Sequence, residues 1–212
     1  VFYNGFKLSV KPQKLKIENM KRHKAILVAA GMVLATVATS AQEAEPIPSV
    51  FGTGVDDNGE LLAAETIDPH WKLVSSPDDD FPGPDVLTLK PGFPVGPWVE
   101  EGPDSRWIAP HPDQGTGNAP GDYLYRITFD LSEFDHETAT ITGKWSSDNG
   151  GPDVLLNDES TGIKTTSGFG GFTEFEITSG FVEGINTLDF KVNNAPPGIN
   201  PTGVRVELNG TA

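Results

Sequence analysis

Hydrophobic residues recur with a period of two over Tyr123 to Leu131. Tyr123, Tyr125, Ile127, Phe129 and Leu131 fall on one face, and Leu124, Arg126, Thr128 and Asp130 on the other. This is the pattern of a strand buried on one side. Shorter runs of the same kind predict strands near His70 to Ser75, Asp85 to Leu89, Arg106 to Ala109, Ala139 to Trp145, Asp153 to Leu156, Thr161 to Thr165, Phe172 to Thr178, Asn186 to Val192 and Val204 to Leu208. Clusters of Gly, Pro, Asn and Asp separate them, and no window keeps an amphipathic helical period for three turns. The fold class expected is all-β, an antiparallel β-sandwich or jelly roll. Tyr123, Ile127, Phe129, Ile141, Phe175, Ile177, Leu188, Phe190 and Val206 are expected between its sheets.

The pattern changes before residue 50. Met20-Lys21-Arg22-His23-Lys24 is a positive stretch, an apolar run from Ala25 to Val37 follows, and Thr39 and Ala41 place small residues at −3 and −1 of a cleavage point. Residues 20–41 read as a secretory signal peptide, since the apolar run is shorter than the ~20 residues that span a bilayer. Residues 1–19 read as an upstream non-domain segment, 42–49 as a short linker and 50–212 as one sandwich domain. The protein is expected outside the cytoplasm, with no membrane insertion after cleavage.

Charge sharpens this picture. The formal net charge is −15, but residues 1–41 hold seven of the 15 Lys and Arg and one of the 30 Asp and Glu, so 42–212 carries 8 basic against 29 acidic residues, a formal −21. Nucleic acid and anionic membrane surfaces, which need clustered Lys and Arg, are excluded as expected partners. With no cysteine in the chain, disulfides, Cys-ligated zinc and a Cys nucleophile are excluded as well.

From Ala139 to Asn194 the residues resemble a known family. Ile141-Thr142-Gly143-Lys144-Trp145, Val154-Leu155-Leu156-Asn157, Thr161-Gly162, Phe172 to Ile177, and Gly184-Ile185-Asn186-Thr187-Leu188 leading to Val192-Asn193-Asn194 resemble galactose-binding-like jelly rolls, such as the sugar-binding domains of β-galactosidase-type glycosidases. The hairpin Leu156-Asn157-Asp158 has Asp where that family has Gly. Asp68-Pro69-His70-Trp71, Arg106-Trp107-Ile108-Ala109-Pro110 and Asn200 to Glu207 are also similar to a domain of bacterial extracellular proteins. Many of those carry a Pro-Glu-Pro sorting tail, and residues 204–212 hold no such box. The resemblance implies a secreted, non-catalytic module that binds carbohydrate or a cell-surface glycan, requires no cofactor and carries a structural Ca2+ in some members. A structural or adhesive surface protein without a sugar site is the alternative, and a glycosidase the third reading.

The residues themselves offer little catalytic chemistry. There is no Gly-x-Ser-x-Gly elbow or phosphate loop, His136-Glu137 lacks the second His of a zinc helix, and carboxylate pairs such as Asp78-Asp79-Asp80 are too many to single one out. Asp56, Asn58 and Glu65 fall on the third, fifth and twelfth positions of an EF-hand-like loop, yet Gly54 stands first. An Asp-Asn-Gly turn joining two early strands is preferred. Sugars stack on aromatic rings and hydrogen-bond at their rims, so the tryptophans matter. Trp71 and Trp145 read as core. Trp98, in Gly96-Pro97-Trp98, and Trp107, at a strand edge, are expected to be more exposed than the other two and are the aromatic ligand-binding candidates, with a packing role slightly preferred for Trp107. If successive strands alternate in direction, the segments 110–122, 146–152, 166–171 and 193–202 share one end of the sandwich. Asp148, Asn149, Asn193 and Asn194 are the ligand-binding candidates there, and closing turns is the other use for them.

Overall fold

The computed structural model describes residues 44–212, so the readings for 1–19 and 20–41 lie outside the described residues. Ten strands follow in order: β1 (Trp71–Ser75), β2 (Leu87–Thr88), β3 (Ile108–Ala109), β4 (Gly121–Asp130), β5 (Thr140–Asp148), β6 (Gly150–Leu156), β7 (Glu159–Ser160), β8 (Thr173–Ile177), β9 (Ile185–Asn194) and β10 (Gly203–Thr211), with a 3-10 turn at Gly168–Gly170. They form two five-stranded sheets, ordered β1-β4-β9-β6-β7 and β2-β3-β10-β5-β8. Every pairing is antiparallel, and the fold is a β-sandwich.

Alternation builds the core. In β4 the odd-numbered residues from Tyr123 to Phe129 are buried, and so are all nine residues expected between the sheets. Phe190 of β9 is the junction: its ring centroid lies 5.4 Å from Trp71 in its own sheet and 5.1 Å and 5.9 Å from Trp145 and Phe175 in the other. Tilted and edge-on aromatic contacts at such distances add to plain area burial. Gly151 is required beside them, because a Cβ there would collide with the Trp145 ring.

The strands run further than their apolar residues. β5 continues through Ser146 and Ser147 to Asp148, since its ladder with β10 pairs nine residues in register, from Gly203 opposite Asp148 to Thr211 opposite Thr140. β9 likewise extends through Asn193 and Asn194, opposite Asp122 and Gly121. Backbone hydrogen bonds do not require apolar side chains, so hydrophobic alternation marks only the buried middle of a strand.

Two expectations are corrected. The strand expected at Thr161 to Thr165 is replaced by the two-residue β7, and residues 161–165 follow β6 through scattered bonds, including the Thr161 N–H on Val154 O and the Thr165 N–H on Gly151 O, without a ladder. The reversal of direction expected there is nevertheless supplied. The stretch read as a linker is part of the fold from Glu45 on: Glu45 and Ile47 donate to the carbonyls of Ala212 and Gly210, and Ile47 is buried in the core.

Replacing Phe190 by Ala removes the ring that joins both sheets and is expected to cost about 3–5 kcal/mol in urea denaturation. A loss under 1 kcal/mol would show that the core does not depend on this junction.

Candidate functional site

The four segments expected at one end do meet there. Asn118 and Asn200 form a two-way backbone bridge. Asn194 Nδ2 donates to the carbonyls of Asn118 and Ala119 at 3.0 and 3.1 Å, the Ala195 N–H donates to Asn149 Oδ1 at 2.7 Å, and Thr202 donates from Oγ1 to Asp148 O at 2.6 Å and from N–H to Gln114 Oε1 at 2.9 Å. Ser146 Oγ donates to Gly168 O, which brings in the fourth segment. Strand parity therefore placed these loops correctly.

Three of the four candidate side chains are spent on neighbouring segments. Asn194 is fully buried, Asn149 uses its acceptor on backbone, and Asn193 donates to Asp122 Oδ1 at 2.6 Å. Asp148 is only 4 % exposed. Asp148 and Asn194 are thus buried, while Asn149 and Asn193 are half-buried; polar groups at a sandwich end without an overlying layer satisfy their buried backbone by bonding each other.

The expected exposure of Trp98 is corrected, and Trp107 takes the packing role. Trp98 is 6 % exposed and Trp107 fully buried, with ring centroids 4.4 Å apart. They form a second apolar cluster with Leu89 and Ala109, flanked by Phe93, Val99 and Phe169. Because Ile108 and Val204 face the main core, alternation puts Trp107 and Ala109 on the outer face of the β2-β3-β10-β5-β8 sheet. Residues 90–104 fold across that face as a flap. The Trp107 indole donates to Val99 O at 2.9 Å, the Val99 N–H donates to Phe169 O at 2.8 Å, and Arg205 holds the arm beyond by donating to Glu100 O and, at 2.7 Å, to Ser105 Oγ. The Gly96-Pro97-Trp98 sequence is a loop as expected, but one laid on a sheet.

Asp148, at the end of β5, lies under this flap. Its Oδ1 is buried and has no hydrogen-bond partner among the described residues. Burial pushes the carboxyl up to about 7, a shift that the Trp98 side chain opposes in part. Arg205, 2 % exposed, is lowered by its own burial, with the charges of Glu207, Glu101 and Asp104 acting against that shift.

The other half of the same face is open. A groove of about 650 Å3 runs over Thr142, Lys144, Glu174, Glu207 and Asn209, with Asp104 from the end of the flap in its lining. Glu207, Lys144 and Glu174 stand side by side across β10, β5 and β8. Lys144 Nζ is 2.9 Å from Glu207, and Lys144 and Arg205 both lie over the Phe172 ring, at 4.8 and 4.9 Å from its centroid. A second cleft of about 670 Å3 is lined by Leu156, Ile163, Ile177 and Val182 among others and includes none of the candidate residues.

The EF-hand-like spacing is built as a turn. Asp56 Oδ1 accepts from the N–H groups of Asn58 and Glu60 at 2.8 and 2.9 Å, which holds its carboxyl below the usual range, and Val55 bridges Leu61. Glu65, exposed, directs its N–H to Thr88 O instead. Asp56, Asn58 and Glu65 are thus not gathered as ligands, and among the described residues no three His, Cys, Asp or Glu side chains are placed to hold a metal ion. Nor is any helix among them long and apolar enough to cross a membrane.

No protein-family model, curated protein or solved structure matches the chain.

The raised Asp148 carboxyl has a stability consequence with a definite sign. The folded state holds its proton more tightly than the unfolded chain, so the contribution of this group to stability is greatest below pH 4, falls as pH rises through the interval between 3.8 and about 7, and levels off above it. An Asp148→Asn variant is expected to match the parent at pH 4 and to exceed it by roughly 2–4 kcal/mol at pH 8. Parallel denaturation curves at the two pH values check this, and equal gaps at both would contradict the buried, unpaired carboxyl.

Proposed function

We propose that this protein is a secreted, non-catalytic β-sandwich module of galactose-binding-like type, and that it binds carbohydrate along the open groove on the outer face of β10, β5 and β8. The observation that carries the reading is the groove itself. Its volume, about 650 Å3, suits a short saccharide. Thr142, Glu174 and Asn209 in its lining are exposed, and among the described residues their side chains make no hydrogen bond. Hydroxyl, carboxylate and amide groups left free on a rigid sheet suit the donors and acceptors of sugar hydroxyls. Three carboxylates, Asp104, Glu174 and Glu207, line it against the single ammonium of Lys144. Neutral or amine-bearing sugars are accommodated by that balance, and uronates and sulfates are repelled.

One observation favours a different class. The loop end that commonly carries function on a sandwich spends its polar side chains internally, as a structural or adhesive protein without a sugar site would.

A glycan array with the parent protein separates these readings. A Thr142→Ala/Asn209→Ala variant is expected to weaken the best glycan roughly ten- to a hundredfold, with a melting temperature near the parent's. Unchanged affinity removes the groove from consideration, and a parent that binds no glycan supports the structural reading. Release of reducing sugar from a bound glycan would overturn the non-catalytic assignment.

A further inference from the structure

Three features of the outer face belong together. The flap, residues 90–104, covers one half and stops at the groove, to which it contributes Asp104. Beneath it the Trp98 and Trp107 rings pack on each other, with Phe93, Val99 and Phe169 around them. Asp148 is buried beside Trp98 with a free oxygen. An ionised carboxylate in such a place has neither water nor a counter-ion.

We infer that the flap is a proton-held cover: it lies shut while Asp148 is protonated, and when Asp148 ionises it lifts, adding the Trp98–Trp107 pair to the groove as a stacking platform for a saccharide ring. The platform's role in binding rests on the carbohydrate reading above. The motion of the flap does not.

The groups packed around Asp148 leave its charge uncompensated. β10 presents Gly203 opposite it, and the guanidinium of Arg205, two residues along, is held by Ser105, Glu100 and Glu207. Glu100 and Glu101 of the flap carry negative charge, and Glu101 faces Arg106 at 3.3 Å. The Gly168–Gly170 turn has no ionisable residue. In the loop after β3, His111 stacks on Phe81 and contacts Gly117 O, and Asp113 pairs with Lys90. None of these charges contributes to the shift of Asp148, which comes from burial and the Trp98 side chain alone.

The flap is also the element able to yield. Its fastenings are discrete: Lys90 N–H to Pro112 O and the Lys90–Asp113 pair at one end, the Glu101–Arg106 pair and the Arg205 contact with Glu100 O at the other, and between them Val99 N–H to Phe169 O, the Trp107 indole to Val99 O and the Trp98 side chain on Asp148. No strand of either sheet falls within it. With the carboxyl at about 7 when covered and at its ordinary 3.8 when exposed, the closing equilibrium weakens nearly tenfold per pH unit between those values and levels off above the higher one.

Hydrogen exchange on the full chain without ligand tests the motion. Between pH 5 and pH 8 the protection of the Trp98 and Val99 amides, corrected for the intrinsic rate, is expected to fall ten- to a hundredfold and to stay well below that of the β4–β9 ladder, whose amides follow global stability. Asp148→Asn is expected to abolish the fall. Protection in the parent that does not change with pH overturns the proposal whether or not the variant folds. Equal protection in the flap and in β4–β9 at pH 8 overturns it too, since the opening would then be global. The binding arm uses the glycan selected by the array, at pH 5.5 and 8.5. Tighter binding at 8.5 in the parent, with no such change in Asp148→Asn, supports the platform. Affinity independent of pH despite a moving flap overturns the platform alone. If no glycan binds at either pH while the flap moves, the carbohydrate reading fails and the cover stands.

Discussion

Everything of interest in this fold depends on the ladder between β5 and β10, because its inner face packs the core while its outer face carries both the flap and the groove. Nine residue pairs hold the two strands in register. On the inner face they present Ile141, Trp145, Val204 and Val206 to the core, where Phe190 joins the sheets. On the outer face the same backbone alternation presents Lys144, Ser146 and Asp148 beside Arg205 and Glu207. A slip of one residue would exchange the two sets, driving Lys144 and Arg205 inward and Trp145 into water. Core and candidate site are therefore two readings of one register.

That coupling explains why some features were legible in the sequence. Tyr123 to Phe129 announce their strand because one face is core and the other is solvent. The Asp-Asn-Gly turn at Asp56 is legible because its chemistry is local: one carboxylate and two nearby N–H groups. The convergence of Asn118, Asn149, Asn194 and Thr202 at one end could be worked out because direction alternates, and the two-residue β7 preserved that count although residues 161–165 are not a strand. What alternation cannot show is a third layer. Trp107 sits on the outward side of β3, which in a two-layer sandwich is solvent, and Gly96-Pro97-Trp98 has the composition of an exposed loop. Only the tertiary structure lays that loop on the sheet and joins Trp98 to Trp107 in a small core. One signal was available: Leu89, Phe93, Trp98, Val99 and Trp107 are five large apolar residues within 19 positions, more than a solvated loop would carry.

Burial of polar groups follows from the same omission. Asp148 read as a loop residue because Ser146 and Ser147 carry no apolar signal, whereas the ladder carries β5 through them. Once in the strand, its side chain points outward, and outward here means under the flap. Ile47 is the same lesson at the other end of β10: a Pro-rich stretch that reads as a linker pairs with Gly210 and Ala212 because they offer free backbone groups.

The two polar regions differ in how change could reach them. At the loop end, Asn194, Asn149, Gln114 and Thr202 each bond backbone in a different segment, so moving any one loop breaks bonds in another, and the region is cooperative with the sandwich. Over the outer face the flap is attached at its rims and held in between by apolar contact, which is non-directional and tolerates displacement. A ligand or a proton that alters local free energy by a few kcal/mol can shift the second arrangement without unfolding the first. The groove and the flap share one sheet face, and Arg205 links them by bonding the flap's Glu100 carbonyl and, within the groove, Glu207. Any rearrangement of the flap is therefore transmitted to the groove floor through a side chain that is itself nearly fully buried.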